Sequence, residues 1–150
     1  MAMKQKKIAE IMTREVEFTE PGATVREAAE KMKRQDLGSL PVCEGGRVIG
    51  ILTDREMTVG VAAEGRDPGK TTVREIMNPD AATCSEEDDV REVARLMEEK
   101  GTHRVLAVNK EGQLVGIVSL GKVARTEDER LAGKVVKTIS RARKGAVRKP

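Results

Sequence analysis

The chain has 150 residues, of which 28 are basic and 25 acidic, with one histidine, two cysteines, one phenylalanine and neither Trp nor Tyr. With Phe18 as the sole aromatic, single-strand nucleic-acid binding through stacked bases is disfavoured, and the core has to be built from Val, Ile, Leu, Ala and Met. No apolar run approaches the length of a membrane span, and the start from Met1 to Lys7 lacks the apolar stretch of a secretion signal. The expectation is a cytoplasmic protein with reduced thiols.

In chain order, Ile8 to Met12 is a short apolar segment closing with Ile11-Met12-Thr13, and Ile76-Met77-Asn78 matches it in the second half of the chain. Val16 and Phe18 alternate with polar residues as a short strand would, and Pro21-Gly22 breaks the run. Thr24 signals a helix cap with Glu27 three positions on, and Val25, Ala28, Ala29 and Met32 fall on one face. In the second copy Asp89 caps, Glu92 takes the Glu27 place, and Val90, Val93, Ala94 and Met97 repeat the stripe. Both stripes read as core. The helices end at polar bends, 35–38 and 100–102.

Next come two strands around a tight turn. Residues 39–43 and 47–52 flank Glu44-Gly45-Gly46, while 104–108 and 113–118 flank Asn109-Lys110-Glu111-Gly112; glycine supplies the positive φ a hairpin needs. The repeat offset is 65 up to the helix and 66 from the hairpin on, which places one extra residue between helix and hairpin in the second copy. A closing helix is expected over about 54–63, and again over about 120–125. Residues 64–70 form a loop by composition. Thr126 is read as the cap of a further helix to about residue 140, with Leu131, Val135 and Ile139 on one face.

Charge is uneven along the chain. Residues 134–150 hold seven Lys or Arg and no acid, so the rest, with 21 basic and 25 acidic residues, carries a net charge of −4. Residues 141–150 read as a basic tail.

The most informative stretch is Gly50-Ile51-Leu52-Thr53-Asp54-Arg55-Glu56. It recurs in the second copy as Gly116-Ile117-Val118-Ser119-Leu120-Gly121-Lys122. A buried strand that delivers a Thr or Ser to the first turn of a helix sets a hydroxyl beside backbone N–H groups, which suits an anion. The same residues serve equally as plain N-caps. Cys43, Cys84 and His103 offer neither the number nor the local spacing of a zinc site.

A strand, helix, hairpin and helix occurring twice, with Ile-Met at the start, Leu-Pro-Val in the first hairpin strand and Gly-Ile-Leu-Thr-Asp-Arg in the second, resembles the CBS domain family over roughly residues 6–125. The resemblance implies an α+β fold of two repeated β-α-β-β-α CBS units, 6–64 and 72–125, packed with pseudo-twofold symmetry (a Bateman module). A C-terminal helix, 126–140, and the tail, 141–150, follow. It also implies clefts that take adenine nucleotides or S-adenosylmethionine, and pairing into dimers through the helices after the Gly-Ile strands, with Met57 and Val61 on the buried face.

The family's ribose element, Gly-x-x-Thr/Ser-x-x-Asp, falls on Gly50, Thr53 and Glu56 in the first copy. In the second it falls on Gly116, Ser119 and Lys122, where a cation that cannot accept from a ribose diol replaces the acid. Asp54 and Arg55 lie inside the first element. Family members often meet phosphate just before the hairpin, where this chain has His103 and Arg104 in the second copy and Gly38, Ser39 and Leu40 in the first. Arg104 is the stronger phosphate candidate because a guanidinium is always charged and bidentate. Complementary half-sets follow: ribose near Glu56 or Ser119, phosphate near Arg104 or Lys122.

The leading reading is a stand-alone sensor of AMP, ADP, ATP, NAD or S-adenosylmethionine that needs no cofactor or metal and signals to another chain. The alternative is a nucleic-acid-associated protein using its basic tail. An enzyme is disfavoured, since one histidine with no nucleophile beside it supplies none of the usual acid, base or covalent constellations. Asp54 and Glu56 at a helix start read as dipole-stabilising.

Overall fold

The two long helices form where their caps and apolar stripes place them, as seen in a computed structural model that describes residues 6–126, 130, 133–138 and 140. The elements are α1 (Ile8–Ile11), α2 (Val25–Gln35), β1 (Ser39–Glu44), β2 (Arg47–Thr53), α3 (Asp54–Met57), α4 (Val73–Ile76), β3 (Thr83–Ser85), α5 (Val90–Lys100), β4 (Arg104–Val108), β5 (Leu114–Ser119) and α6 (Leu120–Thr126). At α2 the Thr24 hydroxyl accepts from the Glu27 N–H at 3.1 Å. At α5 the Asp89 carboxylate accepts from the Arg91 N–H at 2.7 Å. Both helices stop on a left-handed residue, Gly101 at φ 63° and its counterpart Asp36 at φ 53°. Glycine adopts that conformation freely, and Asp is among the few other residues that do so routinely.

Two compact units result, and they are cut differently from the sequence repeats. Unit 1 comprises Met1–Val16, Ala82–Lys110 and Val115–Pro150; unit 2 comprises Glu17–Ala81 and Glu111–Leu114. Each unit therefore takes its Ile-Met segment from the other repeat. In unit 1, Thr13 and Ile117 exchange backbone hydrogen bonds at 2.9 and 3.0 Å; in unit 2, Ile51 and Asn78 do the same at 2.9 Å each way. Unit 2 also holds the second hairpin's turn, through Val48 N–H to the Gly112 carbonyl and Leu114 N–H to the Gly46 carbonyl, both 3.1 Å.

Unit 1 has a three-stranded sheet in the order β3-β4-β5, and unit 2 a two-stranded sheet, β1-β2. The strand expected at Val16 and Phe18 does not form: Phe18 is 42% exposed, and contact with the hairpin shrinks to one parallel bridge between Thr19 and Val42. Thr19 N–H donates to the Pro41 carbonyl and Cys43 N–H to the Thr19 carbonyl, each at 2.9 Å. In unit 1 the ladder extends to one more rung, Leu106 N–H to the Ala82 carbonyl at 2.9 Å. Pro41 is the first-copy counterpart of Leu106, and with no N–H it cannot make that rung.

The same alignment corrects the position of the extra residue. The offset is still 65 at the start of each hairpin, where Thr19–Val42 matches Cys84–Ala107, and reaches 66 at Gly46 and Gly112, whose φ values are 84° and 81°. The insertion therefore lies in the turn. A turn absorbs a residue without shifting every side chain of a strand to the opposite face.

The core of unit 2 gathers Ala28, Met32, Leu40, Val42, Leu52 and Val73. That of unit 1 includes Ile8, Ile11, Val90, Val93, Met97, Val105, Val118 and Val123. Val135 joins it wholly buried, from residues 133–138, which are helical. Leu131, Ile139 and the tail 141–150 lie outside the described residues. Thr126 is the last residue of α6, and its hydroxyl donates back to the Lys122 and Val123 carbonyls at 3.0 and 3.2 Å.

The helix expected over 54–63 begins as α3 and continues as a π-helical turn over Thr58–Ala62. Val61 is 7% exposed and Met57 packs against the unit 2 core. Met57 is half-buried there, and Val59, 52% exposed, is the apolar residue the turn presents.

Candidate functional site

In each unit the entry of the hairpin and the start of the helix that follows it are tied by one backbone bond. In unit 2 the Asp54 N–H donates to the Gly38 carbonyl at 3.3 Å, and in unit 1 the Leu120 N–H donates to the His103 carbonyl at 2.8 Å. Residues before the first hairpin strand thus stand beside residues after the second. Ser39 faces Thr53 across the β1–β2 ladder. Gly38, Ser39, Thr53 and Asp54 thus stand together in unit 2, and His103 and Leu120 in unit 1, while the ribose candidate Glu56 and the phosphate candidates Arg104 and Lys122 fall in different units.

Thr53 is the hinge of the unit 2 set. Its Oγ1 accepts from the Arg55 N–H at 3.2 Å and donates to Glu56 Oε2 at 2.8 Å, so a hydroxyl and a carboxylate are held side by side at the strand end. The Ser119 Oγ accepts from the Lys122 N–H at 3.2 Å. The open anion site expected at these helix starts is thereby reduced: Asp54 and Arg55 N–H groups in one unit, Leu120 and Lys122 N–H groups in the other, already have partners. Arg104 and Lys122 expose their side chains to solvent. Leu40 is different, for it is 0% exposed within the core, and any contact it makes outside the fold is through its backbone.

Beside Glu56 lies a cavity of about 470 Å³, lined by Arg55, Glu56, Val59 and Gly60 with Arg66 and Ile76 among the residues opposite. Two of the sequence candidates, Arg55 and Glu56, reach it. Glu75 also lines it, and its carboxyl is held below the usual carboxylate range by the Thr72 backbone N–H, then the Thr72 hydroxyl, with Arg66 adding to the effect. Arg66, Glu75 and Ile76 were not identified from sequence. The usable signal was Gly60, where a Cβ would come within 2.9 Å of Ile76: a glycine inside an apolar helical turn marks the close approach of a second element.

Cys43 and Cys84 are free and buried. Among the described residues no group of three or more His, Cys, Asp or Glu is placed to hold a metal ion, and no helix is long and apolar enough to cross a membrane.

The CBS domain family profile matches residues 8–61 and 73–129. The protein MK0525 of Methanopyrus kandleri is 32% identical over 126 residues, 83% of this chain and 64% of that protein, so this chain spans under two thirds of it. The CBS domain-containing protein YhcV of Bacillus subtilis is 34% identical over 134 residues, 89% of this chain and 94% of that one. Among solved structures, the CBS domain protein TA0289 of Thermoplasma acidophilum superposes with a TM-score of 0.79 at 23% identity, covering 90% of this chain and 76% of that one. Hypoxic Response Protein I, solved with two coordinated zinc ions, gives 0.74 at 30% identity over 82% of this chain and all of that one. CBSX2 in complex with AMP gives 0.69 at 21% identity, covering 79% and 93%.

Proposed function

We propose that this chain, which belongs to the CBS domain family and carries that domain twice, is a regulatory sensor that binds an adenosine-containing ligand. The observation that carries this reading is the Thr53 hydroxyl held 2.8 Å from the Glu56 carboxylate, at the positions where the family pattern places its ribose contact. Glu56 accepts from ribose hydroxyls, exchanging its bond to Thr53 for bonds to the ligand. In unit 1 the Ser119 hydroxyl accepts from the Lys122 N–H, and the exposed Lys122 and Arg104 side chains, with His103 next to Arg104 in the chain, suit a phosphate. AMP, ADP, ATP, NAD and S-adenosylmethionine are the candidate ligands, and CBSX2, which shares the fold, is seen with AMP.

The protein acts by binding and not by catalysis, needs no resident cofactor, works in the cytoplasm, and self-associates as a homodimer. Its occupancy reaches a partner only because the ligand favours one conformation over another. The nucleic-acid alternative rests on residues 141–150, outside the described residues, and no observation favours it.

Thermal unfolding against the five candidates tests the reading, since a ligand bound only by the folded state raises stability by mass action. At least one is expected to raise the midpoint in a concentration-dependent way. No shift with any of them at millimolar concentration would overturn it.

A further inference from the structure

The two units put opposite charges at equivalent positions. After β2, unit 2 carries Asp54, Arg55 and Glu56, with Val59 one turn on. After β5 the counterparts in unit 1 are Leu120, Gly121, Lys122 and Arg125, and at the hairpin entry Arg104 stands where unit 2 has Ser39. Two carboxylates and a guanidinium have given way to an ammonium and two guanidiniums.

The fold of unit 1 brings these groups to one place. The bond from the Leu120 N–H to the His103 carbonyl, 2.8 Å long, ties Arg104, which follows His103, to Ser119, which precedes Leu120. The Ser119 Oγ accepts from the Lys122 N–H at 3.2 Å, which leaves its own proton to donate. Between them Gly121 has no side chain: an ideal Cβ there would lie 3.9 Å from Ser119 Oγ and 3.9 Å from Arg125 Nη2, so hydroxyl and guanidinium flank one spot over the glycine backbone. Arg104, Lys122 and Arg125 are exposed, and none of the three forms a salt bridge among the described residues. Neither an ammonium nor a guanidinium can accept a hydrogen bond, so the set consists of donors. The Leu120 and Lys122 N–H groups already have partners, and it is the side chains that meet an anion.

Under the adenosine reading above, on which this step depends, Lys122 stands where Glu56 accepts from a ribose diol in unit 2. A free diol brings protons that Lys122 cannot accept. A phosphoryl group on one of those hydroxyls reverses the demand, because it brings charged acceptor oxygens that an ammonium and a guanidinium satisfy. We propose that unit 1 binds an adenosine nucleotide phosphorylated on the ribose 2′ or 3′ carbon as well as on the 5′ carbon, with Lys122 and Arg125 on the ribose phosphate and Arg104 on the 5′ phosphate. Unit 2, with Glu56 at the same place, takes the free diol. The units thus select different nucleotides, and binding in unit 1 weakens with salt.

The test is a set of ¹H–¹⁵N titrations of the full chain, with affinities read separately from the amides of residues 103–104 and 119–125 so that binding in unit 2 does not enter. The probes are adenosine 2′,5′-bisphosphate, adenosine 3′,5′-bisphosphate, ADP, 5′-AMP and inorganic phosphate. At these amides one bisphosphate is expected to bind at least about tenfold tighter than ADP, which carries its two phosphates on one carbon beside a free diol; that factor corresponds to one charge-assisted contact. Lys122→Glu, at an exposed position, puts an acceptor back and should bring the bisphosphate to the affinity of ADP or below. A bisphosphate no tighter than ADP, a preference that survives Lys122→Glu, equal binding of inorganic phosphate, or shifts confined to unit 2 would each overturn the proposal and leave the adenosine reading standing. No shift in either unit with any of the nucleotides at millimolar concentration would overturn both.

Discussion

The Asn78 carbonyl stands where a side chain on Gly50 would begin: an ideal Cβ there lies 2.8 Å from that oxygen and 3.0 Å from Met77 Sδ. The closeness follows from the two 2.9 Å bonds between Ile51 and Asn78, which fix the Ile-Met-Asn segment along β2. A backbone oxygen held in a ladder cannot swing aside. Gly50→Ala is expected to cost about 1–3 kcal/mol through overpacking, read as a lower urea midpoint at unchanged slope. Gly22, with nothing within 4 Å of its Cβ position, is the control, and Gly22→Ala should stay within about 0.5 kcal/mol. Equal midpoints for the two variants would show that the segment yields freely.

Removal of a charge-assisted contact weakens binding by about 1.5–3 kcal/mol, which is roughly 10- to 150-fold. Isothermal titration of Glu56→Ala with AMP should show a loss of that size. Arg104→Ala combined with Lys122→Ala should lower affinity for ATP while leaving adenosine nearly unaffected. Unchanged affinity in both variants would reduce these residues to caps and surface charge.

Val61 and Val59 separate folding from self-association. Val61 is 7% exposed and Val59 52%, so Val61→Asp buries an unpaired charge and should destabilise the chain by about 3 kcal/mol or more. Val59→Asp should leave stability within about 0.5 kcal/mol and, in a homodimer formed through this face, shift the light-scattering mass to that of a monomer. A Val59→Asp protein that keeps its mass would place the dimer contact elsewhere.

Burial, with the charge of Asp88 adding to it, pushes the Cys84 thiol from 9.0 up to about 12. The unfolded chain loses this proton at a lower pH than the folded one, so the unfolded state binds fewer protons in that window and stability falls as pH rises. The contribution is intact below pH 9.0 and declines towards about 12. Lysines titrate in the same range, so the measurement is the difference between the chain and Cys84→Ala in urea midpoint from pH 8 to 11. The expected result is a steeper alkaline loss with the thiol present, and parallel curves would contradict it.

The sequence by itself determined the elements whose causes are local. Thr24 and Asp89 cap the helices they were expected to cap, and the stripes from Val25 to Met32 and Val90 to Met97 face the core, because a period of 3.6 leaves one face to bury. The pairing of Thr53 with Glu56 was legible for the same reason, since residues three apart at a helix start are neighbours. What only the tertiary structure decided is which strand each short segment joins. Backbone hydrogen bonds carry no sequence label, so Met12-Thr13 pairing along Ile117 and Met77-Asn78 along Ile51 follow from packing across the chain. The loss of the strand at Phe18 likewise comes from a proline well removed in sequence, Pro41, whose missing N–H matters only once the two stretches are side by side. Arg66, Glu75 and Ile76 belong to the Glu56 cavity for that reason too: their side chains were visible in the sequence, but the face they share was created by folding.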